Sequence, residues 1–380
     1  MKRWLLLVTM FVVSALILTA CPAPTPQVIE VEKPVVVEKK VVETVVVEKE
    51  VPVEKVVKET VVVEKEVEKI VEKEVPVEVV VMKPGPEAVL DFIFVQHALC
   101  AWDSFWCTVE AGIRQAADDM NVNVTVLGPD EFDLEKVAQL IDQAVAAQPD
   151  GIALTVTDPD LFREPIQRAL DAGIPVVAYN AGAGPIEDGI DYMTYLGQDE
   201  YQGGYLGGLR LAAEGGTRGV CINHQVGHTG LDKRCKGFTD ALSEKGIPAE
   251  VLAITNDPAE SQTIIDDYYT ANPDTDIFLT LGPNGANPFY AFMEAAGLKP
   301  GDVKHGTFDL SPEIIAHIKD GTTMFGIDQQ PFLQGYGSVM TLMLKIRYGI
   351  SPALPVTPTG PGFVDKSNVA IVEALAGEYR

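Results

Sequence analysis

The chain has 380 residues, 47% of them apolar and 22% charged, and its 55 acidic against 29 basic side chains give a formal net charge of −26. Nucleic acid is not expected as a partner: a phosphate backbone is bound by releasing counterions from Lys and Arg, and so acidic a chain repels it. The length fits one large domain or two to three ordinary ones, once an N-terminal region of unusual composition is set aside.

Residues 1–21 open with Lys2 and Arg3, continue as an apolar run from Trp4 to Leu18 and end in Leu18-Thr19-Ala20-Cys21. This reads as an export signal. About 15 apolar residues fall short of the roughly 20 that span a bilayer, and small residues stand where a signal peptidase cuts. The last four residues resemble the bacterial lipobox, which implies that Cys21 is lipidated, becomes the mature N-terminus and anchors the protein to the membrane. A single-pass anchor is the alternative. Either way the remainder lies outside the cytoplasm.

Residues 22–84 form a low-complexity tether built almost wholly of Val, Glu, Lys and Pro, with Val-Val-Val-Glu-Lys recurring at Val35, Val45 and Val61. Pro34, Pro52 and Pro76 interrupt any long helix or central strand. The expected role is a spacer between the membrane and a domain. A self-associating stalk is the competing reading, because Val-rich runs have high β-propensity.

Pro84 to Arg380 carries 17 Lys or Arg against 41 Asp or Glu. Short β-branched runs predict strands at Leu90–Val95, Val122–Leu127, Ile152–Val156 and Val176–Tyr179, then at Val220–Asn223, Val251–Thr255, Ile277–Leu281, Gly306–Leu310 and Met324–Ile327. Amphipathic stretches of helical period follow nearly every one. Strand and helix alternating this often predict parallel sheets with covering helices. Similar spacing before Gly197 and after Gly204 favours two lobes. The glycines in Gly203-Gly204-Tyr205-Leu206-Gly207-Gly208 cost a helix about 1 kcal/mol each relative to alanine, so close packing of that helix against the sheet is expected.

Ligands of such sheets bind beyond the carboxyl ends of the strands. The first such loop brings Trp102, Asp103, Phe105 and Trp106 within five residues. Aromatic rings stack on the C–H faces of a sugar and a carboxylate accepts from its hydroxyls, so Asp103, Phe105 and Trp106 are candidate ligand contacts. Asp103 or Ser104 is also placed to cap the following helix. Arg234 and Asp309, at strand ends, are costly to bury alone, so each requires the other or a ligand rich in donors and acceptors.

From Val89 to about Thr357 the chain resembles the periplasmic sugar-binding proteins of ABC importers, in particular the ribose-binding-like group. Asp103, Phe105 and Trp106 stand where that group has a polar residue followed by two aromatics. Its Arg-x-x-Gly-Phe motif falls on Arg234-Cys235-Lys236-Gly237-Phe238, its Phe-Asp strand end on Phe308-Asp309 and its hinge-proximal glutamine on Gln329. The resemblance implies an α/β fold of two doubly wound, Rossmann-like lobes joined by hinge strands, the type I periplasmic binding protein. It also implies lobes of about 88–197 with 331–358 and of about 198–330 with 359–380. Asn180 replaces the charged pair that clamps ribose in that group, and Asn256 sits where an aromatic or polar contact is usual. Asn284 and Asn287 lie in a segment that replaces the group's Asn-Asp turn.

Four cysteines besides Cys21 suit an oxidising compartment, and two disulfides are expected, Cys100 with Cys107 and Cys221 with Cys235. His97 lies near Cys100 and Cys107, and His224 and His228 are four apart in a glycine-bearing loop. These histidines read as loop or ligand-contact residues, since zinc needs three or four convergent ligands. No nucleophile elbow, phosphate loop or His-Glu-x-x-His is present in the sequence. No metal, cofactor or enzymatic activity is expected.

The expected protein is a lipid-anchored, monomeric, extracytoplasmic receptor that closes two lobes around a small neutral sugar or polyol and delivers it to an ABC permease and ATPase. A receptor reporting a sugar or autoinducer to a membrane signalling protein is the alternative. A glycoside-processing enzyme is the weakest reading.

Overall fold

The computed structural model describes residues 88–380. The export signal, Cys21 and the 22–84 tether lie outside the described residues.

The first half alternates β1 (Leu90–Val95), α1 (Phe105–Met120), β2 (Val122–Leu127), α2 (Leu134–Ala146), β3 (Gly151–Leu154), α3 (Pro159–Asp171), β4 (Val176–Tyr179), α4 (Pro185–Asp188) and β5 (Tyr195–Gly197). The second continues with α5 (Glu200–Ala213), β6 (Gly219–Asn223), α6 (Thr229–Glu244), β7 (Ala249–Ala253), α7 (Pro258–Ala271), β8 (Ile277–Thr280), α8 (Pro283–Ala296), β9 (Lys304–Phe308), α9 (Pro312–Asp320) and β10 (Phe325–Asp328). Then follow α10 (Pro331–Tyr348), β11 (Val356–Pro358), β12 (Gly362–Asp365) and α11 (Val369–Val372). Among the described residues, no helix is long and apolar enough to cross a membrane.

Two six-stranded sheets result, ordered β11-β5-β4-β3-β1-β2 and β12-β10-β9-β8-β6-β7. All pairings are parallel except β12 against β10. The central strands of both sheets are buried on both faces, which is why β3, β4, β6 and β8 read as mainly apolar runs rather than alternating ones. In each sheet the order reverses beside the first strand, between β1 and β3 and again between β6 and β8. Such a switch point opens a crevice at the carboxyl ends.

Three segments join the sheets: 198–199 between β5 and α5, 329–330 between β10 and α10, and 359–361 between β11 and β12. The strands β5, β11 and β12, of three or four residues, were not predicted, and the predicted edges of the others shift by up to two residues. The segment 282–288, expected as a turn, forms the first turns of α8.

The glycines of α5 divide their task. A Cβ on Gly203 would stand 3.1 Å from the Phe308 ring and one on Gly207 3.1 Å from Ile327, so these two face the sheet as expected. A Cβ on Gly204, however, would lie 1.9 Å from the Arg234 carbonyl oxygen, and one on Gly237 2.2 Å from that of Tyr201. Helices α5 and α6 therefore meet backbone to backbone, and this contact sets the position of Arg234. The first lobe repeats the device with Gly112 against Phe332 and Gly335 against Val109.

Candidate ligand-binding site

Residues at the carboxyl ends of both sheets line a cavity between the lobes. The loop after β1 contributes His97 and Asp103, the start of α1 contributes Phe105 and Trp106, and the loop after β4 contributes Asn180. Loops of the second sheet contribute His224, Gln225, His228 and Asp309, α6 contributes Arg234, which stands on the helix and not at a strand end as expected, and the crossing after β10 contributes Gln329. Seven of the eight predicted contacts are thus brought together. Asn256 is not among them: it is exposed, in the loop after β7. The reason is topological, because β7 is the outermost strand of its sheet, away from the switch point. Asn287 is exposed on α8, and neither it nor Asn284 lines the cavity.

Local chemistry aims these side chains. Trp106 is 1% exposed and stands edge-on to His97, Phe105 and Tyr179 at ring separations of 4.9, 5.4 and 6.3 Å. Asp103 Oδ1 accepts from the Phe105 backbone N–H at 3.1 Å, whereas Ser104, at the cap position, makes no side-chain cap bond. Asn180 and Asp309 end β4 and β9 with φ of 62° and 66°. Asn and Asp are the residues other than glycine that tolerate this left-handed turn. Asn180 Nδ2 donates to Gln329 Oε1 at 3.3 Å and to Gln334 Oε1 at 3.2 Å, and Gln329 Nε2 donates to Asp309 Oδ1 at 2.7 Å. This chain of amides links the two sheets through a crossing segment.

Arg234 and Asp309 both line the cavity, but Arg234 takes its ion pair elsewhere, from Glu200. Nε donates to Glu200 Oε2 at 2.6 Å, Nη2 to Oε1 at 2.9 Å and Nη1 to the Leu281 carbonyl at 2.9 Å. The guanidinium lies 4.2 Å from the centre of the Phe308 ring. Glu200 escaped the sequence reading because an acid one residue after the helix cap Asp199 is ordinary first-turn chemistry. Its place directly after the first crossing was the available signal. Two of the five guanidinium N–H groups remain for a ligand.

Burial governs the titratable groups. It pushes the Asp103 carboxyl up to about 6 against the opposing bond from the Phe105 N–H, and the Asp309 carboxyl up to about 7 despite the nearby Arg234 charge. Burial, reinforced by Arg234, lowers His97 and His224 to about 3, so both are neutral near pH 7. For Arg234 burial opposes the charge, but the Glu200 carboxylate outweighs it and the guanidinium stays protonated. The lining is therefore mostly neutral donors and acceptors with aromatic rings, and its one cation is already paired.

The lobes touch across the mouth of the cavity. Thr229 donates from its backbone N and Oγ1 to the Thr157 carbonyl at 3.1 and 2.8 Å, Lys233 pairs with Glu187 at 2.7 Å, and the His97 and His228 rings stand 4.6 Å apart. Both expected disulfides are formed. Cys100–Cys107 closes the loop that carries Asp103, and Cys221–Cys235 ties β6 to α6 one residue beyond Arg234. Among the described residues, no cluster of three or more His, Cys, Asp or Glu side chains is arranged to hold a metal ion.

Two lobes closing over polar and aromatic side chains define a binding protein of the type I periplasmic architecture. The family model described as "periplasmic binding protein domain" matches residues 100–349, and the chain belongs to that family. It is 34% identical to a carbohydrate transporter of Acidothermus cellulolyticus solved in complex with myo-inositol, with a TM-score of 0.70 over 76% of this chain and 99% of that one. A periplasmic sugar-binding protein of an ABC sugar transporter from Legionella pneumophila matches at 28% identity and a TM-score of 0.67, over 71% and 99% of the two chains. A xylose/arabinose-binding protein of Sulfolobus acidocaldarius is 29% identical over 294 residues, 73% of this chain and 71% of that protein. The protein is accordingly an extracytoplasmic binding protein of ABC-type transport, not an enzyme.

Proposed function

We propose that the protein captures one neutral sugar or cyclic polyol between its lobes and delivers it to the permease and ATPase of an ABC importer. The observation that carries this reading is the composition of the cavity between the lobes. Aromatic faces from Phe105 and Trp106 stand with Asn180, Gln329 and the carboxyl groups of Asp103 and Asp309. Hydroxyl groups satisfy all of these at once, donating to the carboxylates and exchanging bonds with the amides. A strongly anionic ligand meets two carboxylates and an arginine already neutralised by Glu200. The myo-inositol complex of the Acidothermus protein and the pentoses named for the Sulfolobus protein are of this chemical class.

In this reading the lobes comprise about 88–197 with 331–358 and about 198–330 with 359–380, and they rotate about the three crossings. The ligand favours the closed form because it contacts both lobes. Acylation of Cys21 holds the monomer at the membrane and the 22–84 tether sets its reach. Calorimetric titration of the purified protein with myo-inositol, D-xylose, L-arabinose and D-ribose tests the proposal. Micromolar or tighter binding of at least one is expected. Binding of none of them, with an amino acid or a metal ion raising the melting temperature instead, overturns it.

A further inference from the structure

His228 is the cap residue of α6, and it caps with its ring. Nδ1 accepts from the backbone N–H of Gly230 at 3.0 Å and of Leu231 at 3.4 Å. A ring nitrogen that accepts cannot carry a proton, so the imidazole is neutral and its hydrogen resides on Nε2. The surroundings enforce this state. The ring is 2% exposed and sits at the positive end of a helix, and burial, then His97, Arg234 and His224, hold its basicity well below that of a free histidine.

The same ring lines the cavity, edge-on to His97 of the opposite lobe and stacked 6.2 Å from Phe132, also of that lobe. Among the described residues, no protein group accepts from Nε2. The donor is left facing the cavity, where an oxygen of the bound molecule accepts from it. We propose that His228 is a specificity-determining residue whose Nε2–H, fixed in orientation by the cap, donates to one hydroxyl oxygen of the ligand. The inference rests on the sugar or polyol reading and narrows it. At this position the ligand must present an acceptor, so an ammonium group is rejected and a deoxy analogue leaves the donor unmet. Because Phe132 and His97 hold the other sides of the ring, the donor occupies its reading position when the lobes are together.

The test compares wild type with His228→Thr, which retains a capping oxygen but ends short of the position of Nε2. Both proteins are titrated with myo-inositol, D-xylose, L-arabinose and D-ribose, and with monodeoxy analogues of those that bind. For one analogue, wild type should bind at least tenfold more weakly than the parent. In the variant that ratio should fall below threefold, while the ligand-free melting temperature stays within a few degrees. A purely structural cap would lower all affinities together and leave the ratio intact, and that outcome overturns the inference alone. Failure of wild type to bind any of the four parents removes the functional reading and this one with it. Should the Thr variant not fold, His228→Ser, a stronger cap type, takes its place in the same comparison.

Discussion

Arg234 and Glu200 form a two-point ion pair beside the cleft, with N–O distances of 2.6 and 2.9 Å and side chains only 4% and 2% exposed. Taking two such charges out of water is expensive, and their attraction offsets the cost only while both are present. Glu200→Gln leaves the guanidinium buried without its counter-charge. The expected loss is about 3–5 kcal/mol by urea unfolding, with ligand affinity falling because Arg234 is no longer held. The double variant Glu200→Gln/Arg234→Met should lose less stability than the two single losses combined. Simple additivity would refute the coupling.

Trp106 serves the core and the cavity together, so one substitution cannot separate its roles. Trp106→Ala is expected to lower stability by about 3–5 kcal/mol and sugar affinity by at least tenfold. Trp106→Phe keeps a ring against His97 and Tyr179, and should recover most of the stability while affinity remains reduced. Parallel melting curves and titrations on both variants make the distinction. Equal recovery of both quantities would assign Trp106 to packing alone.

The strands that carry the site were legible because parallel, doubly covered strands are predominantly apolar, as Val176–Tyr179 and Ile277–Leu279 are. The strand β5 at Tyr195–Gly197 was not, since three residues are too few to show a period and its pairing depends on the distant Val356–Pro358. At the site, Asp309 announced itself as a charge just beyond a strand end, whereas Arg234, expected at a strand end, lies on α6. Their true partners, Glu200 and Gln329, are fixed by the contact of α5 with α6 and by the second crossing, relationships that no local window contains. His97, His224 and His228 showed as loop histidines, but only the closed arrangement brings them together from both lobes.

The disulfide between Cys221 and Cys235 spans β6 and α6, and its neighbour in sequence is Arg234. In the chain-entropy model, a closed loop of about 15 residues contributes roughly 3 kcal/mol, and one of about 8 residues, as for Cys100–Cys107, roughly 2.5 kcal/mol. Replacing Cys221 and Cys235 together by alanine should therefore lower stability by about 3 kcal/mol and weaken binding, since the helix that presents Arg234 loses its tie to the sheet. Denaturant titration with matched calorimetry reads both effects. Unchanged affinity in the destabilised variant would confine the bond to folding.

Asp309 makes stability depend on pH in a direction opposite to the usual carboxylate. Burial, the largest influence, lifts its folded-state value to about 7 from an ordinary 3.8, against the pull of Arg234 and Gln329. Between about pH 4 and 7 the folded protein holds a proton that the unfolded chain has released, so through this group stability falls as pH rises across that window. His97 and His224 act in the other direction. Their folded values of about 3 lie below the ordinary 6.5, so their contribution declines as pH drops from about 6.5 towards 3. The substitution Asp309→Asn isolates the first effect. It keeps an oxygen for Gln329 and suits the left-handed backbone, but it cannot ionise. The stability of the variant minus that of wild type should increase between pH 5 and pH 8, measured as urea midpoints in the absence of sugar. A difference that does not change with pH would show that Asp309 is not a buried, proton-retaining group in the free protein.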